Sequence, residues 1–258
     1  MDQKHVAGNH SQSGGSVVRA APFASLSMHS FDRLRLLGFP SEIQQLVRQT
    51  LQAHWPRGVQ EERPYGGSYE FKLKGNPWRA LSEDGVTARR LITRLLEALF
   101  NVGWVLNLSA DVSCKQRDID TLIFRRQAAP PSPCDWMCMY FTSGDRIRVI
   151  DAPHDFEAAL KRMLGAAVQT DKGYTYRGGY ELKMRGWPWR ASGEETMLAR
   201  QMVLDMLSLL DEHGWSVYAC VDQKEKPGGD NDSIGDADTW HCRRVQGWAP
   251  GLPAYNLK

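Results

Sequence analysis

Four basic side chains, Arg146, Arg148, Lys183 and Arg185, fall on alternate positions of two short segments, 145–149 and 180–185. In an extended strand, residues two apart share a face. All four cations would then stand on one side of a sheet, where they can grip a phosphate, a carboxylate or an acidic partner. Trp187 and Tyr218 bring flat rings to the same neighbourhood. A ring beside arginine can stack a base or another planar ligand. Asp222 ends the following strand and completes this candidate ligand-binding set. Asp222, Glu181 and His241 also make an acid–base set, were the chain an enzyme. The charges have a plainer use as well: acids and bases alternating across strands form ion pairs worth about 0.2–1 kcal/mol each.

Metal chemistry is weakly supported. The segment from Lys224 to Ala237 contains Asp230, Asp232 and Asp236, but Ile234 stands where a calcium loop needs a ligand. Cys134 and Cys138 are four apart, and Cys220 and Cys242 fall on strands expected to be neighbours. No Cys-x-x-Cys spacing accompanies them, so buried, inert thiols are expected rather than zinc. The chain carries no nucleophile elbow, Walker loop or dinucleotide fingerprint. Neither a catalytic residue, a metal nor a cofactor is therefore expected.

The elements that would position these residues occur twice. Residues 69–111 align without a gap on residues 180–222, with roughly 16 of about 43 columns identical, so the chain is an internal duplication. Upstream, Ser30–Leu36 matches Ser143–Val149 as turn and strand. A helix follows in each copy, with Ile43, Leu46, Val47 and Leu51 on one face in the first and Phe156, Ala159, Leu160 and Met163 in the second. A second, longer helix carries Val86, Leu91, Leu95, Leu96 and Leu99, matched by Met197, Met202, Met206, Leu207 and Leu210. Gly103 and Gly214 close these helices. The motif Gly-x-Pro-Trp-Arg-Ala recurs at Gly75–Ala80 and Gly186–Ala191. Trp78 and Trp189 are expected to plug the core at the strand-to-helix corner. Trp187 has Asn76 as its counterpart and escapes that constraint.

Each copy reads β-β-α-β-α-β-β, an α+β unit with its helices on one sheet face. The expected plan is a disordered tail over 1–22, repeat one over 23–126, a Pro-rich linker over 127–134, repeat two over 135–245 and an extension over 246–258. The two units would share a core as a pseudo-two-fold body, neither stable alone.

The second copy resembles an uncharacterised eukaryotic family of tandem duplications. The resemblance is carried by Ser143-Gly144-Asp145-Arg146, Gly186-Trp187-Pro188-Trp189, Arg200, Gly214-Trp215, Asp222, Asp238-Thr239-Trp240 and Cys242-Arg243. It is looser in the first copy, where Trp187 becomes Asn76 and Trp240 becomes Leu122. It implies no activity.

A net charge of +2 makes any attraction to polyanions local, and no apolar run reaches membrane-spanning length. With five cysteines and a polar N-terminus, a cytoplasmic or nuclear monomer with reduced thiols is expected. The expected function is a non-catalytic binding module for an unknown protein or acidic ligand, using the charged sheet face or the 224–237 loop. The alternatives are a binder of single-stranded nucleic acid or nucleotide, which is less favoured, and an enzyme with its site at the repeat junction.

Overall fold

The computed structural model describes residues 22–79, 82–110, 112, 121–175, 178–222 and 238–254. The first repeat comprises β1 (Phe23–His29), β2 (Arg33–Leu37), α1 (Ser41–His54), β3 (Val59–Tyr65), β4 (Ser68–Leu73), α2 (Ser82–Asn101), β5 (Trp104–Ala110) and β6 (Thr121–Arg126). The second comprises β7 (Cys134–Thr142), β8 (Arg146–Ile150), α3 (His154–Leu164), β9 (Val168–Tyr174), β10 (Gly179–Met184), α4 (Glu195–Glu212), β11 (Ser216–Val221) and β12 (Thr239–Val245). A 3-10 turn at Pro77–Arg79 leads into α2, and its counterpart Pro188–Arg190 leads towards α4. The expected α+β class and duplication hold, and the element order needs one addition. Each repeat has a sixth strand, β3 or β9, so the unit is β-β-α-β-β-α-β-β.

The sheets are antiparallel and share one order, β3-β4-β2-β1-β6-β5 and β9-β10-β8-β7-β12-β11. In β1, Ala24, Leu26 and Met28 point inward because apolar residues two apart share a face. Ile43, Val47 and Leu51 of α1 and Leu91, Leu95 and Leu99 of α2 close over them. The second core repeats this with Met137, Met139 and Phe141 of β7 under Phe156 and Leu160 of α3 and Met206 and Leu210 of α4. Trp78 fills the corner as expected, with its Nε1–H donating to the Arg33 carbonyl at 3.0 Å. Trp189 makes the same bond to the Arg146 carbonyl at 3.0 Å.

The repeats meet through α2, which packs against β7 as well as β5. One side of this helix covers its own sheet, and the other covers the far face of the second sheet. Val86, expected with the helix's own stripe, instead packs with Cys138, Tyr140 and Ile150 of the second repeat. The buried Arg89 guanidinium lies 3.9 Å from the Tyr140 ring centroid and donates from Nε to Thr239 Oγ1 at 3.1 Å. Arg90 and Arg94 clasp Asp151 at 3.0 and 2.7 Å. The layer order is therefore first sheet, α1 with α2, second sheet, α3 with α4. Each repeat's own helices lie on one face of its sheet, as expected. The opposite face, offered by the sequence as a charged binding platform, is covered over much of its extent in repeat two by α2.

Two bulges alter the expected facing. β5 gains a residue between Leu106 and Leu108, and β11 gains one between Val217 and Ala219. One extra residue reverses the facing of everything beyond it. Leu108 consequently shares the outer face with Ile123, and Ala219 shares the α2-covered face with His241.

Candidate functional site

The charged strand positions form two ion-pair clusters, each around a buried carboxylate. Glu70 is only 1% exposed and accepts from Arg33, from Arg35 Nε at 2.8 Å and from Arg63 Nε at 3.0 Å. Glu181 is equally buried and meets Arg146 at 3.1 Å, Arg148 and Lys172 at 3.1 Å. Burial alone would raise both carboxyl pKa values. The surrounding cations, with Arg35 foremost at Glu70 and Arg148 at Glu181, outweigh it and hold both below the usual carboxylate range. These are the cross-strand pairs that the alternating pattern allows. In repeat two the cluster extends to Asp145, which lies 3.5 Å from Arg146 and 3.8 Å from Lys183. Arg146, Arg148, Lys172 and Lys183 thus share two carboxylates, and the patch keeps a cationic surplus.

The other candidate residues scatter. Arg185 donates from Nε to the Ala166 carbonyl at 3.0 Å. Tyr218, the bulge residue, is set edge-on to Trp136 and Phe100, and its hydroxyl accepts from the Leu106 amide at 2.6 Å. It is a joint between the repeats. Asp222 follows the end of β11, half-buried. Trp187 remains 57% exposed, with the Arg190 guanidinium 5.4 Å from its ring centroid. Glu181 and His241 lie on β10 and β12, with β8 and β7 between them. At about 4.8 Å per strand, some 14 Å separates them, so the acid–base set does not converge. His241 is fully buried beneath α2, with Nδ1 2.9 Å from Thr93 Oγ1. Burial, then the nearby Arg89 charge, pushes its pKa down to about 3.

Five of the family-signature residues, Pro188, Trp189, Arg200, Asp238 and Trp240, in contrast come together. Trp189 and Trp240 flank the buried Phe141, with ring centroids 4.5 and 5.2 Å from it. With Val203 and Ala199 of α4 they line a cleft of about 490 Å3, edged by Arg200 and Asp238. The first repeat is closed at the matching positions: Trp78, Ala88, Ile92 and Leu122 are all buried. Arg146 and Arg148 alternate with the inward Ile147 and Val149, so the charged patch lies on the sheet face opposite the cleft. The turn at Gly144 lies against Trp187 and Arg190, a Cβ there falling 2.9 Å from Arg190 Cδ and 3.0 Å from the Trp187 ring. Sequence reading passed over Trp240 and the α4 side of the cleft. The available signal was that Trp240, like Trp187, replaces a non-aromatic residue of the first copy.

Among the described residues no group of three or more His, Cys, Asp or Glu side chains is placed to hold a metal ion. Burial pushes the Cys138 thiol up to about 11 and raises that of Cys242, while Cys220 is exposed. Residues 1–21 of the tail expected over 1–22, and the 224–237 loop with Asp230, Asp232 and Asp236, lie outside the described residues. No helix among the described residues is long and apolar enough to cross a membrane.

Comparison with known proteins finds one family. The model of an uncharacterised domain matches twice in tandem, over residues 22–125 and 135–243. No curated protein and no solved structure matches.

Proposed function

The chain belongs to this uncharacterised, tandemly repeated domain family, and from that premise we propose that it is a non-catalytic binding module whose working site is the aromatic cleft of repeat two. One observation carries the reading: three aromatic rings line an open cleft in one repeat while the same positions are packed shut in the other. A fold requirement would be met alike in both copies. The copy-specific opening is what a binding role asks for.

The chemistry selects the ligand class. Phe141, Trp189 and Trp240 favour a large apolar or aromatic anchor side chain. Arg200 at the edge favours a carboxylate beside that anchor. The ligand is thus a segment of a partner protein with an apolar anchor and an acidic flank. A stacking role for Trp187 with nucleic acid draws less support, because Arg190 already lies over that ring.

Selection of a random peptide library on the full chain tests the proposal. Enriched peptides should pair a large apolar residue with Asp or Glu and bind with micromolar Kd. Val203→Trp, which fills the cleft, should weaken them by at least about tenfold, or about 1.4 kcal/mol. Absence of an enriched motif, or binding untouched by V203W, would refute it. Tight binding of a single-stranded oligonucleotide that collapses steeply with salt would support the nucleic-acid reading instead.

A further inference from the structure

The layer order ends in two unlike faces. At one end, α4 turns apolar side chains to solvent: Met197 and Leu204 are 56% exposed, Leu198 71% and Leu207 38%. Their counterparts on α2, offset by 111 positions, are Val86, Thr93, Thr87 and Leu96, all of them buried. At the other end lies the outer face of the first sheet. There Phe23, Leu37 and Leu108 are 47%, 51% and 42% exposed. Register fixes their counterparts. Leu108, Ile123, Ser25 and Leu37 form one cross-strand row. The equivalent row in the second sheet is Ala219, His241, Cys138 and Ile150, all buried beneath α2. The two exposed faces are the two halves of the contact that already joins the repeats.

We propose that a second copy of this chain covers them, head to tail, with α4 of one molecule seated on the first sheet of the next as α2 sits on the second sheet. Pair by pair, the exchanged residues stay complementary. The Thr93–His241 hydrogen bond becomes Leu204 against Ile123, so both polar partners are replaced by apolar ones. Val86 against Ile150 becomes Met197 against Leu37. The Phe100 ring 5.0 Å from the Arg243 guanidinium becomes Asp211 against Arg125, an opposite-charge pair. The Arg89–Thr239 bond keeps both residue types as Arg200 and Thr121. The clasp of Arg90 and Arg94 on Asp151 disappears from both sides together, because Gln201, Asp205 and Gly38 stand there. Arg89 lies over the Tyr140 ring beside Arg148, so its counterpart Arg200 would lie over Ser27 beside Arg35, whose charge Glu70 offsets. A partner unrelated to this chain would have no reason to match these substitutions one for one. The assembly departs from the monomer expected from sequence, and it engages Arg200, which also edges the cleft.

Because the contact joins unlike faces, it propagates into a ring or an open string of molecules. Sedimentation equilibrium of the full chain tests this. The weight-average mass should exceed 29.2 kDa, rise with concentration and pass the value for two chains. Leu204→Glu and Ile123→Glu alter side chains that are not buried, so both variants should keep the wild-type circular dichroism melt. Each should weaken association by about 30-fold or more. An equimolar mixture of the two should form a one-to-one dimer that grows no further, since it contains one intact face of each kind. Asp211→Arg and Arg125→Asp should each weaken association, and the double variant should restore it. A wild-type chain that stays at single-chain mass at all concentrations overturns the proposal. So does association that survives I123E, which would mean helix-to-helix pairing, or a mixture of the two variants that stays monomeric.

Discussion

The hydroxyl of Thr93 lies 2.9 Å from Nδ1 of His241, a residue in the other repeat and 148 positions away. This bond sits in the buried seam where α2 covers the second sheet. The other ring nitrogen, Nε2, has no hydrogen-bond partner among the described residues. Removing the hydroxyl with Thr93→Val should destabilise the fold by about 1–3 kcal/mol, because a buried polar nitrogen loses its partner. Replacing both residues with the apolar pair Thr93→Leu and His241→Ile should cost less than the single change. Urea denaturation of the three variants against wild type measures the difference.

The same imidazole makes stability depend on pH. Its folded pKa, pushed down to about 3, lies below the 6.5 of an unperturbed histidine. Below pH 6.5 the unfolded chain takes up a proton that the folded chain refuses. The stabilisation is therefore complete above pH 6.5 and declines by about 1.4 kcal/mol per pH unit as pH falls towards 3. Tm should drop between pH 7 and pH 5, before most carboxylates titrate, and the T93L/H241I variant should drop less over that window.

Glu181→Gln removes the anion that Arg146, Arg148 and Lys172 share. Breaking a buried pair from one side costs about 3–5 kcal/mol; the half-exposed cations here place the loss towards the lower end. Glu70→Gln should act similarly, since Arg33, Arg35 and Arg63 converge on it. Both carboxyls have depressed pKa values, so their contribution is present above the unfolded value near 4.5 and is lost as pH falls below it. Acid unfolding of each variant should show a shallower dependence below pH 4.5 than wild type.

Gly214→Ala should be costly for two reasons. The residue has φ 74°, and a Cβ there would fall 2.3 Å from the ring of Trp248. The left-handed backbone alone costs an alanine about 1 kcal/mol, and the ring must move as well. A lowered Tm, with a shift in the emission of Trp248 seen in a variant lacking the other tryptophans nearby, reports both effects.

Repeat two expressed alone as residues 134–254 would present Trp136, Cys138, Tyr140 and Ile150 to water, because α2 would be missing. It should bind a hydrophobic dye and lack a cooperative melt. A sharp thermal transition in that fragment would contradict the account of α2 as a shared layer.

Much of this fold was legible in the sequence. Apolar runs placed β1 and β7, apolar residues at a period of two placed β4 and β10, and the longer period placed the four helices. β3 was illegible because Val-Gln-Glu-Glu-Arg-Pro-Tyr does not alternate and contains Pro64. It is an edge strand, where one side of the ladder is free and proline is tolerated. The bulges at Asn107 and Tyr218 were also silent, since an inserted residue leaves no mark in a local pattern. They redirected Leu108 and withdrew Tyr218 from the ligand-facing set. The charged clusters were legible as pairs but not as threes, because Arg63 and Lys172 come from the strands that went unread. Trp187 drew notice for lacking a counterpart in the first copy. Trp240 lacks one too, but its place beside Trp189 depends on a crossing from β12 to α4 that only tertiary structure reveals.

A helix that serves two sheets gives the molecule an inherent direction, with an oily rod at one extremity and an uncapped strand surface at the other. Another round of internal copying would need no novel chemistry. An added unit could slot against the existing rod and offer the next, so the architecture lengthens by repetition.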